Sequence, residues 1–401
     1  MFGSEKVVVI SQHYPPDAST TAAIMWKIAE HLAEERPVLV LSGWAGSATQ
    51  DPAPSRRPVV VEINNRMAAK GALIKRAAAE ACFTARAFIA ALKALRRGDV
   101  VLTVTAPFML PYAVAAAARL KRARSALIMH DLYPDVLVMA GLLKPASIPA
   151  KAIRAANALM FRALDAVVVI GRDTEQLLLR YGGITRDKIR FIPNWATLPP
   201  GVRPIRADNR YRRALAARFV VGLSGNLGFT HDPLIVFEAA RLLREDPDIH
   251  FLLSGWGIGF ERLKELQSES GLANVTLLDR VEDDHLEEFL AAANVWLIPY
   301  RKDVAGVSVP SRFYNLLAVG RPVILVSEPD AEAALTVTEH DVGWVTRPGD
   351  AGELASTIRL AFSSEDTDRG ERAAAIAGRF NFAAAMSGYS AMIGELQRKA
   401  G

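Results

Sequence analysis

Short apolar runs alternate with longer amphipathic segments along most of the chain. The first run lies at Lys6–Ile10 and is followed by an amphipathic stretch at 22–35, and the same order recurs through the first half. Runs of strand length that alternate with helical patterns predict parallel βαβ units. The proline-rich segment Phe191–Arg206 interrupts this order, and a second series begins at Phe219. We therefore place an interdomain linker at the interruption and predict two doubly wound α/β domains that face a cleft.

Length and composition agree with this division. A chain of 401 residues exceeds the usual size of one compact core and predicts two domains. Its one cysteine, Cys82, excludes an intrachain disulfide and is typical of a reducing compartment; we predict a buried, apolar environment for it. The first residues carry charges before a short strand, unlike the long apolar core of a signal peptide. These features predict a cytoplasmic protein.

One segment has the length of a membrane span. Residues 100–118 carry no charge over nineteen positions. However, Pro107 and Pro111 interrupt the segment, its start is rich in β-branched residues and its end is rich in alanine. Because proline is tolerated in the first turn of a helix, this pattern favours a strand, a loop and a helix over a transmembrane helix.

Charge is distributed unevenly between the two halves. Residues 1–200 hold 26 Lys and Arg against 15 Asp and Glu, a net charge of +11, whereas residues 201–401 hold 22 against 28, a net charge of −6. Such asymmetry predicts an anionic partner for the first half. The absence of a basic run interleaved with aromatic residues argues against nucleic acid as that partner.

Much of the positive excess lies in Arg66–Arg97, where Glu80 is the one acidic residue. This segment predicts one or two basic amphipathic helices. Their apolar side would comprise Leu73, Ala77, Phe83, Ile89, Leu92 and Leu95. Such helices either lie on an anionic membrane surface or pack on the sheet with a solvated basic face.

The carboxyl ends of several predicted strands carry glycine or small polar residues. Within Gly222–Pro322, successive apolar runs lead into SGNLGFTHDP, SGWGIG and finally GVSVPSRFYN. In an open α/β sheet, ligands bind in the crevice at the carboxyl ends of the strands. Several such ends that let the backbone approach a ligand predict a shared site for a nucleoside diphosphate. The second loop lacks the GxGxxG spacing of a dinucleotide site, so we place its glycines near the nucleoside.

Seven motifs, in this order, resemble those of one enzyme family. They are HYPPDAST, MHDLYPDVLVMAGLL, FIPNW, SGNLGFTHDP, NVTLLDRV, SVPSRFYNLLAVGRPV and GWVTRPGD, and they extend over nearly the whole chain. The chain resembles the retaining glycosyltransferases of family 4, which have the GT-B fold of two Rossmann-like domains. Within that family it is most similar to the enzymes that build bacterial exopolysaccharide, colanic-acid and O-antigen repeat units. One motif would be weak evidence, whereas seven in register are specific.

The resemblance implies separate roles for the two domains. Residues 1–198 would bind the acceptor, together with residues from about 385 to 401, because the last helix of this fold crosses back to the first domain. Residues 199–384 would bind the nucleoside-diphosphate sugar. The implied reaction transfers a hexose-type sugar to a polyprenyl-diphosphate-linked saccharide without a metal or other cofactor. That acceptor implies a protein peripherally bound to the inner face of the plasma membrane through basic residues 66–97.

The residue types suit a diphosphate leaving group. Backbone amides at helix N-termini and in loop nests stabilise its negative charge. Ser19 and Thr20 precede the first predicted helix, where they either face the phosphates or cap the helix. The resemblance assigns donor binding to further positions, with Val281 at the nucleobase: Gly225, Asn226, His231, Gly255, Gly257, Val281, Ser308, Val309, Arg312 and Asn315.

Two departures from the wider family affect these assignments. Family members often carry Arg at the position of Asn226 and Lys at that of His231, and many carry glutamates where this chain has Val307 and Asn315. Arg312 then becomes the phosphate cation, since an arginine fork can bind two phosphate oxygens, and Asn315 becomes the ligand of the ribose. His231 either contacts phosphate as a protonated imidazole or is an exposed turn residue.

His130 and Asp131 end a predicted central strand of the first domain and should point into the cleft. The resemblance places this position beside the transferred sugar and the β-phosphate, where His130 would orient the sugar or donate to phosphate. Asp131 either binds the acceptor hydroxyl or caps a helix. The sequence contains no Ser-His-Asp order, no metal-ligand cluster and no carboxylate pair spaced for a double displacement.

Two other functions fit the same fold. A nucleotide-sugar 2-epimerase would convert the donor without an acceptor, but the acidic and cationic residues that it needs around the sugar are not identifiable in this sequence. A noncatalytic nucleotide-sugar-binding protein would bind the donor without turnover, which the departures at Asn226, His231, Val307 and Asn315 would explain. We expect a transferase.

Overall fold

The structure is a computed structural model that describes residues 5–17, 19–43, 57–63, 73–215, 217–364 and 368–399, with the backbone alone at 73–77. These residues form two parallel β-sheets, each flanked by helices on both faces. The arrangement confirms the two doubly wound α/β domains predicted from the alternating pattern.

The first sheet has seven parallel strands in the order β3-β2-β1-β4-β5-β6-β7. Its strands are β1 (Val7–Ser11), β2 (Val38–Ser42), β3 (Val59–Glu62), β4 (Val100–Val104), β5 (Arg124–Met129), β6 (Ala166–Val169) and β7 (Ile189–Phe191). The second sheet has six parallel strands in the order β10-β9-β8-β11-β12-β13. Its strands are β8 (Phe219–Asn226), β9 (Ile249–Trp256), β10 (Val275–Leu278), β11 (Val295–Pro299), β12 (Val323–Val326) and β13 (Gly343–Thr346).

Helices connect the strands and cover both sheets. Those of the first half are α1 (Thr20–Glu35), α2 (Leu73–Ala94), α3 (Leu110–Lys121), α4 (Asp135–Met139), α5 (Ile148–Ala163) and α6 (Asp173–Leu178). Those of the second half are α7 (Pro233–Leu242), α8 (Ile258–Ser270), α9 (Leu286–Ala292), α10 (Arg312–Ala318), α11 (Glu332–Glu339), α12 (Ala351–Ser363), α13 (Arg369–Ala377) and α14 (Phe382–Arg398). Short 3₁₀ turns lie at Arg186–Lys188 and Asp283–His285.

The central strands are apolar along their whole length because helices cover both of their faces. In β1, Val7 and Val9 pack with α1 and α14, whereas Val8 and Ile10 pack on the other face with α2 and α3. Side chains of a strand alternate between the two faces, so a strand buried on both sides needs a continuous apolar run. This requirement explains why the sequence pattern located the inner strands.

The last helix crosses back to the first domain, as predicted. Six side chains of α14 belong to the same buried cluster as α1 and the first sheet: Ala385, Met386, Tyr389, Met392, Ile393 and Leu396. Polar contacts join the same surfaces, since Arg190 Nη2 lies 2.7 Å from Glu395 Oε2 and Gln397 Nε2 donates to the carbonyl of Glu5 at 3.0 Å. The exact domain bounds at 198 and 384 stay a prediction.

The uncharged segment 100–118 forms β4, a loop and the first part of α3, as predicted. Pro111 occupies the first turn of α3, where its missing N–H costs no hydrogen bond. Among the residues described, no helix has both the length and the apolar character needed to span a bilayer.

The basic segment folds largely as a helix packed on the sheet. Phe83, Ala87, Ala91 and Leu95 follow each other at helical spacing and are buried in the first domain. Ile89 is exposed, so its placement on the apolar side was wrong: six residues rotate a helix by about 600°, which leaves Ile89 about 120° around the axis from Phe83. Residues 66–72 and the side chains of Leu73 and Ala77 lie outside the described residues. Cys82 is also exposed, which corrects the predicted burial.

Candidate active site

The cleft brings together the ends of strands from both sheets. Met129, His130 and Leu132 at the end of β5 line one pocket with Ile170 and Thr174 from the end of β6 and the start of α6. The opposite side of that pocket is the loop Gly306–Val309 of the second domain. The structure therefore places His130 next to the predicted donor-binding residues Ser308 and Val309.

Arg312 is the first residue of α10 and points back to the end of β8. Its guanidinium donates to the carbonyl oxygens of Ser224 and Asn226, on either side of Gly225. Burial lowers the pKa of Arg312 to about 10, so the group is still a cation at neutral pH. Because arginine has five N–H donors and these carbonyls engage two, the guanidinium keeps donors for an anion in the cleft.

The position of the Arg312 guanidinium requires glycine at residue 225. Its φ of +104° lies in a region that L side chains rarely adopt, and a Cβ there would lie 3.1 Å from Cζ of Arg312. The end of the neighbouring strand β9 fits equally closely, since a Cβ at Gly255 would lie 2.3 Å from the carbonyl oxygen of Gly225. A Cβ at Gly257, where φ is +97°, would lie 2.3 Å from Oδ1 of Asn226. The predicted residues Gly225, Asn226, Gly255 and Gly257 thus pack closely against one another and form one continuous surface.

His231 fits neither of its two predicted roles, a protonated phosphate ligand or an exposed turn residue. The side chain is buried, and Nδ1 lies 3.1 Å from Oγ1 of Thr230. Burial, followed by the positive charges of Arg312 and Arg301, lowers the pKa of His231 well below its ordinary value. The residue is therefore neither an exposed turn histidine nor a protonated imidazole. Its Nε2 is buried and has no hydrogen-bond partner among the described residues.

Tyr300, at the end of β11, is a site residue that the sequence analysis did not identify. Its ring centre lies 5.1 Å from that of His231, and the two residues form an isolated antiparallel bridge. The hydroxyl is buried without a hydrogen bond of normal geometry to any residue that the structure describes. Burial raises the pKa of Tyr300, so the hydroxyl stays a neutral donor near the Arg312 cation. The tyrosine after the apolar run VWLIP was the available signal.

Val281 lies in the loop after β10, beside the end of β9. Oγ of Ser254 donates to the carbonyl of Asp279 at 2.8 Å, which joins the two loops. The guanidinium of Arg280 lies 4.8 Å above the exposed ring of Trp256. The predicted nucleobase contact at Val281 therefore adjoins an aromatic–cation pair, and the contact itself stays a prediction.

Asn315 has a different partner from the ribose predicted for it. Its Oδ1 accepts hydrogen bonds from the backbone N–H groups of Thr197 at 2.8 Å and Leu198 at 3.2 Å. Its Nδ2 donates to Oγ1 of Thr197 at 2.9 Å. The carboxamide thus fixes the interdomain linker to α10, and a ribose contact would have to displace these bonds.

On the first domain, Oγ1 of Thr105 fixes the predicted catalytic pair. It accepts hydrogen bonds from the backbone N–H groups of His130 at 3.2 Å and Asp131 at 3.3 Å. Burial lowers the pKa of His130 to about 4, and its Nε2 is buried without a partner in the described part of the chain. The imidazole is therefore neutral at pH 7 and can accept or donate one hydrogen bond to a ligand.

Asp131 faces a small cavity rather than a helix end. The cavity has a volume of about 20 Å³ and is lined mainly by apolar and aromatic side chains, among them Phe108, Tyr112, Tyr133 and Phe161. Burial raises the pKa of the Asp131 carboxyl. Because α4 begins at Asp135 with Pro134 at its cap, the helix-capping alternative for Asp131 is excluded.

Ser19 caps α1, as one of its two predicted roles required. Its Oγ accepts a hydrogen bond from the N–H of Ala22 at 3.2 Å, and its own N–H donates to Asp17 at 2.8 Å. Although burial opposes the effect, hydrogen bonds from His13 and Ser19 lower the pKa of Asp17, so a carboxylate stands at this helix start. Thr20 is exposed. A phosphate contact by either hydroxyl stays a prediction.

Arg172 and Asp173 join the two domains at the cleft, and sequence reasoning missed both. Asp173 Oδ2 accepts from the N–H groups of Gly306 at 2.8 Å and Glu332 at 3.0 Å. The Arg172 guanidinium lies 2.9 Å from Glu332 and 3.0 Å from Glu339. Their position after the strand AVVV was a signal, but their partners lie more than 130 residues away in sequence. The part of the chain that the structure describes has no group of three or more His, Cys, Asp or Glu placed to hold a metal ion.

Two family models match the chain, one on each domain. The glycosyl transferase 4-like domain matches residues 19–195, and the glycosyl transferases group 1 model matches residues 218–363. Together they span more than three quarters of the chain and leave the linker between them. The chain is a member of the family 4-like glycosyltransferases.

Curated relatives of this glycosyltransferase match it over part of their length. The probable glycosyltransferase WbjE of Pseudomonas aeruginosa is 29% identical over 265 residues, which cover 66% of each protein. WcaI of Escherichia coli, named as a colanic acid biosynthesis glycosyl transferase, is 27% identical over 252 residues, which cover 61% of each. The matches thus leave about a third of these relatives' own lengths uncovered.

A solved structure shows the same fold. HepE of Anabaena, in complex with UDP and glucose, superposes with a TM-score of 0.70 at 18% identity, covering 98% of this chain and 100% of that one. Identity this low supports the fold alone. The GT-B architecture predicted from the motifs is thereby confirmed.

Proposed function

We propose that this glycosyltransferase transfers a sugar from a nucleoside-diphosphate sugar to a polyprenyl-diphosphate-linked saccharide, with retention of configuration, in the synthesis of a cell-surface polysaccharide. The observation that carries the proposal is the position of Arg312, a half-buried cation whose guanidinium is held against the end of β8 around Gly225. It lies three residues beyond Val309, which faces His130 across the cleft. The colanic-acid assignment of WcaI and the UDP and glucose bound by HepE support the same chemistry.

The diphosphate would bind at the second-domain wall. Remaining N–H donors of Arg312 would contact its oxygens, together with Tyr300 and backbone amides of the Gly225 loop. Nε2 of His231 would supply a further neutral contact, since it is buried and without a partner among the described residues. This set contains one cation and several neutral donors, so we propose binding of the diphosphate without a metal.

The transferred sugar would lie between Arg312 and His130. In the proposed reaction the bond from the anomeric carbon to the diphosphate oxygen breaks, and an acceptor hydroxyl forms its bond on the same face. The departing diphosphate oxygen takes the hydroxyl proton, so the reaction needs no enzymatic base. His130 would orient a sugar hydroxyl as a neutral imidazole, and Asp131 would position the acceptor.

The lipid part of the acceptor would place the protein at the cytoplasmic face of the plasma membrane. The charge excess of the first half and the basic segment 66–97 support attraction to an anionic surface. In the described part of that segment, Arg86 and Lys93 lie on the exposed side of α2, opposite its buried apolar residues.

The first test measures thermal stabilisation by UDP, GDP, ADP and dTDP and by their common sugar conjugates. A ligand at about 100 times its Kd should stabilise the protein by roughly 2.7 kcal/mol. Transfer of labelled sugar from the selected donor to lipid-linked saccharides in detergent then tests the reaction, and the anomeric configuration of the product is read by NMR. Turnover with retention supports the proposal, whereas inversion contradicts it.

One observation favours a second candidate, a noncatalytic nucleotide-sugar-binding protein. His231 is neutral and Asn226 stands where family members often carry arginine, so the second domain has fewer cations for the leaving group. That protein would be stabilised by one nucleotide yet transfer no sugar to any acceptor. Isomerisation of the donor without an acceptor would instead identify an epimerase.

A further inference from the structure

The outer side of α5 is apolar and exposed. Ile148 at the first position of the helix is 85% exposed, and Leu159 is 66% exposed. Because a helix repeats every 3.6 residues, Ile148, Ala152, Ala155 and Leu159 lie along one side, and all four are exposed. Leu142, in the loop that leads into the helix, is 61% exposed. Large apolar side chains grouped in this way mark an interaction surface.

Basic residues flank this apolar side without any acidic neighbour in sequence. Lys144, Lys151 and Arg162 are exposed, and residues 140–163 contain no Asp or Glu. We give the name α5 face to the exposed large apolar and basic side chains of this segment: Leu142, Lys144, Ile148, Lys151, Leu159 and Arg162. The second domain gives a contrast, because its exposed Leu242 and Leu360 lie among the paired charges Arg241–Glu238 and Arg359–Asp246.

The inner side of the same helix lines the cavity that contains Asp131. Asn157, Met160 and Phe161 contribute to that cavity. Asn157 is fixed there by hydrogen bonds, since Oη of Tyr112 donates to its Oδ1 at 2.5 Å and its Nδ2 donates to the carbonyl of Tyr133 at 2.6 Å. One helix therefore lines the Asp131 cavity with its inner side and carries the α5 face on its outer side.

Most of the described apolar side chains of α2 are unavailable to a membrane. Its apolar residues Phe83, Ala87, Ala91 and Leu95 are buried against the first sheet. The helix α3 packs against both α2 and α5, so the three helices lie side by side on this sheet. In the described part of this layer, α2 exposes basic residues and Ile89, whereas α5 exposes the larger apolar surface at Ile148 and Leu159 together with basic residues.

We propose that the α5 face docks on an anionic lipid bilayer. Its leucine and isoleucine side chains enter the boundary between headgroups and acyl chains, and its lysines and arginine contact anionic headgroups. The inference rests on the proposed function in one respect, because a lipid-linked acceptor would then reach the Asp131 cavity from the membrane side. The combination of exposed apolar residues with exclusively basic charges favours lipid over a protein surface.

The test is co-sedimentation of the whole protein with vesicles of phosphatidylcholine alone and of phosphatidylcholine with 30% phosphatidylglycerol. The wild-type protein should sediment with the anionic vesicles and much less with the neutral ones. The double variant Ile148→Ser/Leu159→Ser should bind about tenfold or more weakly. The matched control Leu242→Ser/Leu360→Ser changes two leucines that are 47% and 56% exposed on the second domain, and it should bind like wild type.

A second variant separates charge from apolar contact. Lys144→Glu/Lys151→Glu should lower binding to the anionic vesicles by at least about fivefold for each charge reversed, and added salt should reduce the wild-type affinity in the same direction. Both variants change exposed side chains and should unfold at the wild-type temperature. Equal binding by wild type and the Ile148→Ser/Leu159→Ser variant overturns the proposal, as does wild-type protein that binds no vesicle.

Two further measurements separate this inference from its alternatives. Sedimentation velocity without lipid should show the same species for wild type and the α5 variant; a dimer that only wild type forms would assign the face to a second copy and overturn the proposal. Transfer to a short-chain acceptor in detergent should be unchanged in the α5 variant. Vesicle binding without turnover on any acceptor would contradict the proposed function and support membrane docking by the α5 face. Turnover without vesicle binding would support the proposed function and contradict the docking.

Discussion

The two walls of the cleft respond differently to burial. On the second-domain wall Arg312 is half-buried, yet its pKa falls only to about 10 and it remains a cation. On the first-domain wall burial lowers the pKa of His130 to about 4, and the imidazole is neutral. The guanidinium keeps its charge because its pKa starts far above neutral, whereas the imidazole starts close to it. Burial thus gives this cleft one fixed positive wall and one neutral, hydrogen-bonding wall.

This difference suits the two parts of a nucleotide sugar. A diphosphate gains negative charge as its bond to the sugar breaks, so a fixed cation stabilises it most when it leaves. Sugar hydroxyls are uncharged and are oriented by neutral donors and acceptors. Changes to the second-domain wall should therefore affect the leaving group strongly, and changes to the first-domain wall should have smaller or pH-dependent effects.

The largest effect should come from Arg312→Ala. Loss of a charge-assisted, two-pronged contact to the diphosphate should reduce kcat/KM for the donor by about 100-fold. Arg312→Lys should recover little, because a single ammonium cannot serve both the backbone carbonyls and the phosphate. Steady-state kinetics with varied donor measures both variants, and Arg359→Ala on the outer side of the second domain is the control. Wild-type donor kinetics in Arg312→Ala would remove Arg312 from the site.

Gly225→Ala tests whether the backbone surface beneath Arg312 matters. The new Cβ would be strained by the positive φ and would crowd the guanidinium, so we expect about tenfold weaker donor binding and a loss of about 1–2 kcal/mol in unfolding free energy. Gly349→Ala provides the matched control, since φ is +81° there and no atom lies within 4 Å of the added Cβ. That variant should show the strain without the loss of binding. Equal donor affinity in both variants would contradict the proposed position of Arg312.

His130→Gln tests the neutral wall through pH. A histidine with a folded pKa of about 4 and an ordinary unfolded value near 6.5 stabilises the fold fully above pH 6.5 and loses that contribution as pH falls toward 4. The wild type should therefore lose about 1–2 kcal/mol more than the variant between pH 7 and pH 5. Urea unfolding at both pH values measures the difference. Parallel losses in the two proteins would mean that His130 is not neutral by burial.

The smallest effect should come from Asp173→Ala, which removes the contacts to the N–H groups of Gly306 and Glu332. The loop that faces His130 would be held less firmly, so donor KM should rise about two- to threefold and unfolding free energy should fall by about 1 kcal/mol. Asp246→Ala removes an exposed ion pair with Arg359 and should change neither quantity. A donor KM equal to wild type in Asp173→Ala would show that the interdomain contact does not position the loop.

The architecture was readable from sequence because its cause is local. Strands buried on both faces, such as β1, need continuous apolar runs, and the glycines at 225 and 257 mark positive φ values at the end of β8 and just after β9. It was harder to predict which side of a helix faces solvent: Ile89 is apolar but lies on the exposed side of α2. Contacts between segments distant in sequence could not be recognised from the local residue pattern.

The candidate site was therefore only partly predictable. Thr105 acts through a hydrogen bond from the backbone of His130, and the Tyr300 hydroxyl is buried without a hydrogen-bond partner among the described residues. Asn315 binds the linker through a contact between residues 118 positions apart. The charge state of His231 follows from its burial first and then from the positive charges of Arg312 and Arg301 around it. A linear pattern records residue types but not the neighbours that fix a pKa.

The return of α14 to the first domain has a mechanical consequence. The chain passes between the domains twice, once near Ala196 and once near Phe380, and the N–H of Ala196 donates to the carbonyl of Phe380 at 3.0 Å. The rings of Trp195 and Phe382 pack 5.6 Å apart beside this bond. Because the two crossings are joined at one place, they form a hinge between the domains. The second domain should therefore open the cleft by rotating about this point, and the Arg172–Glu332 ion pair between the domains should oppose that opening.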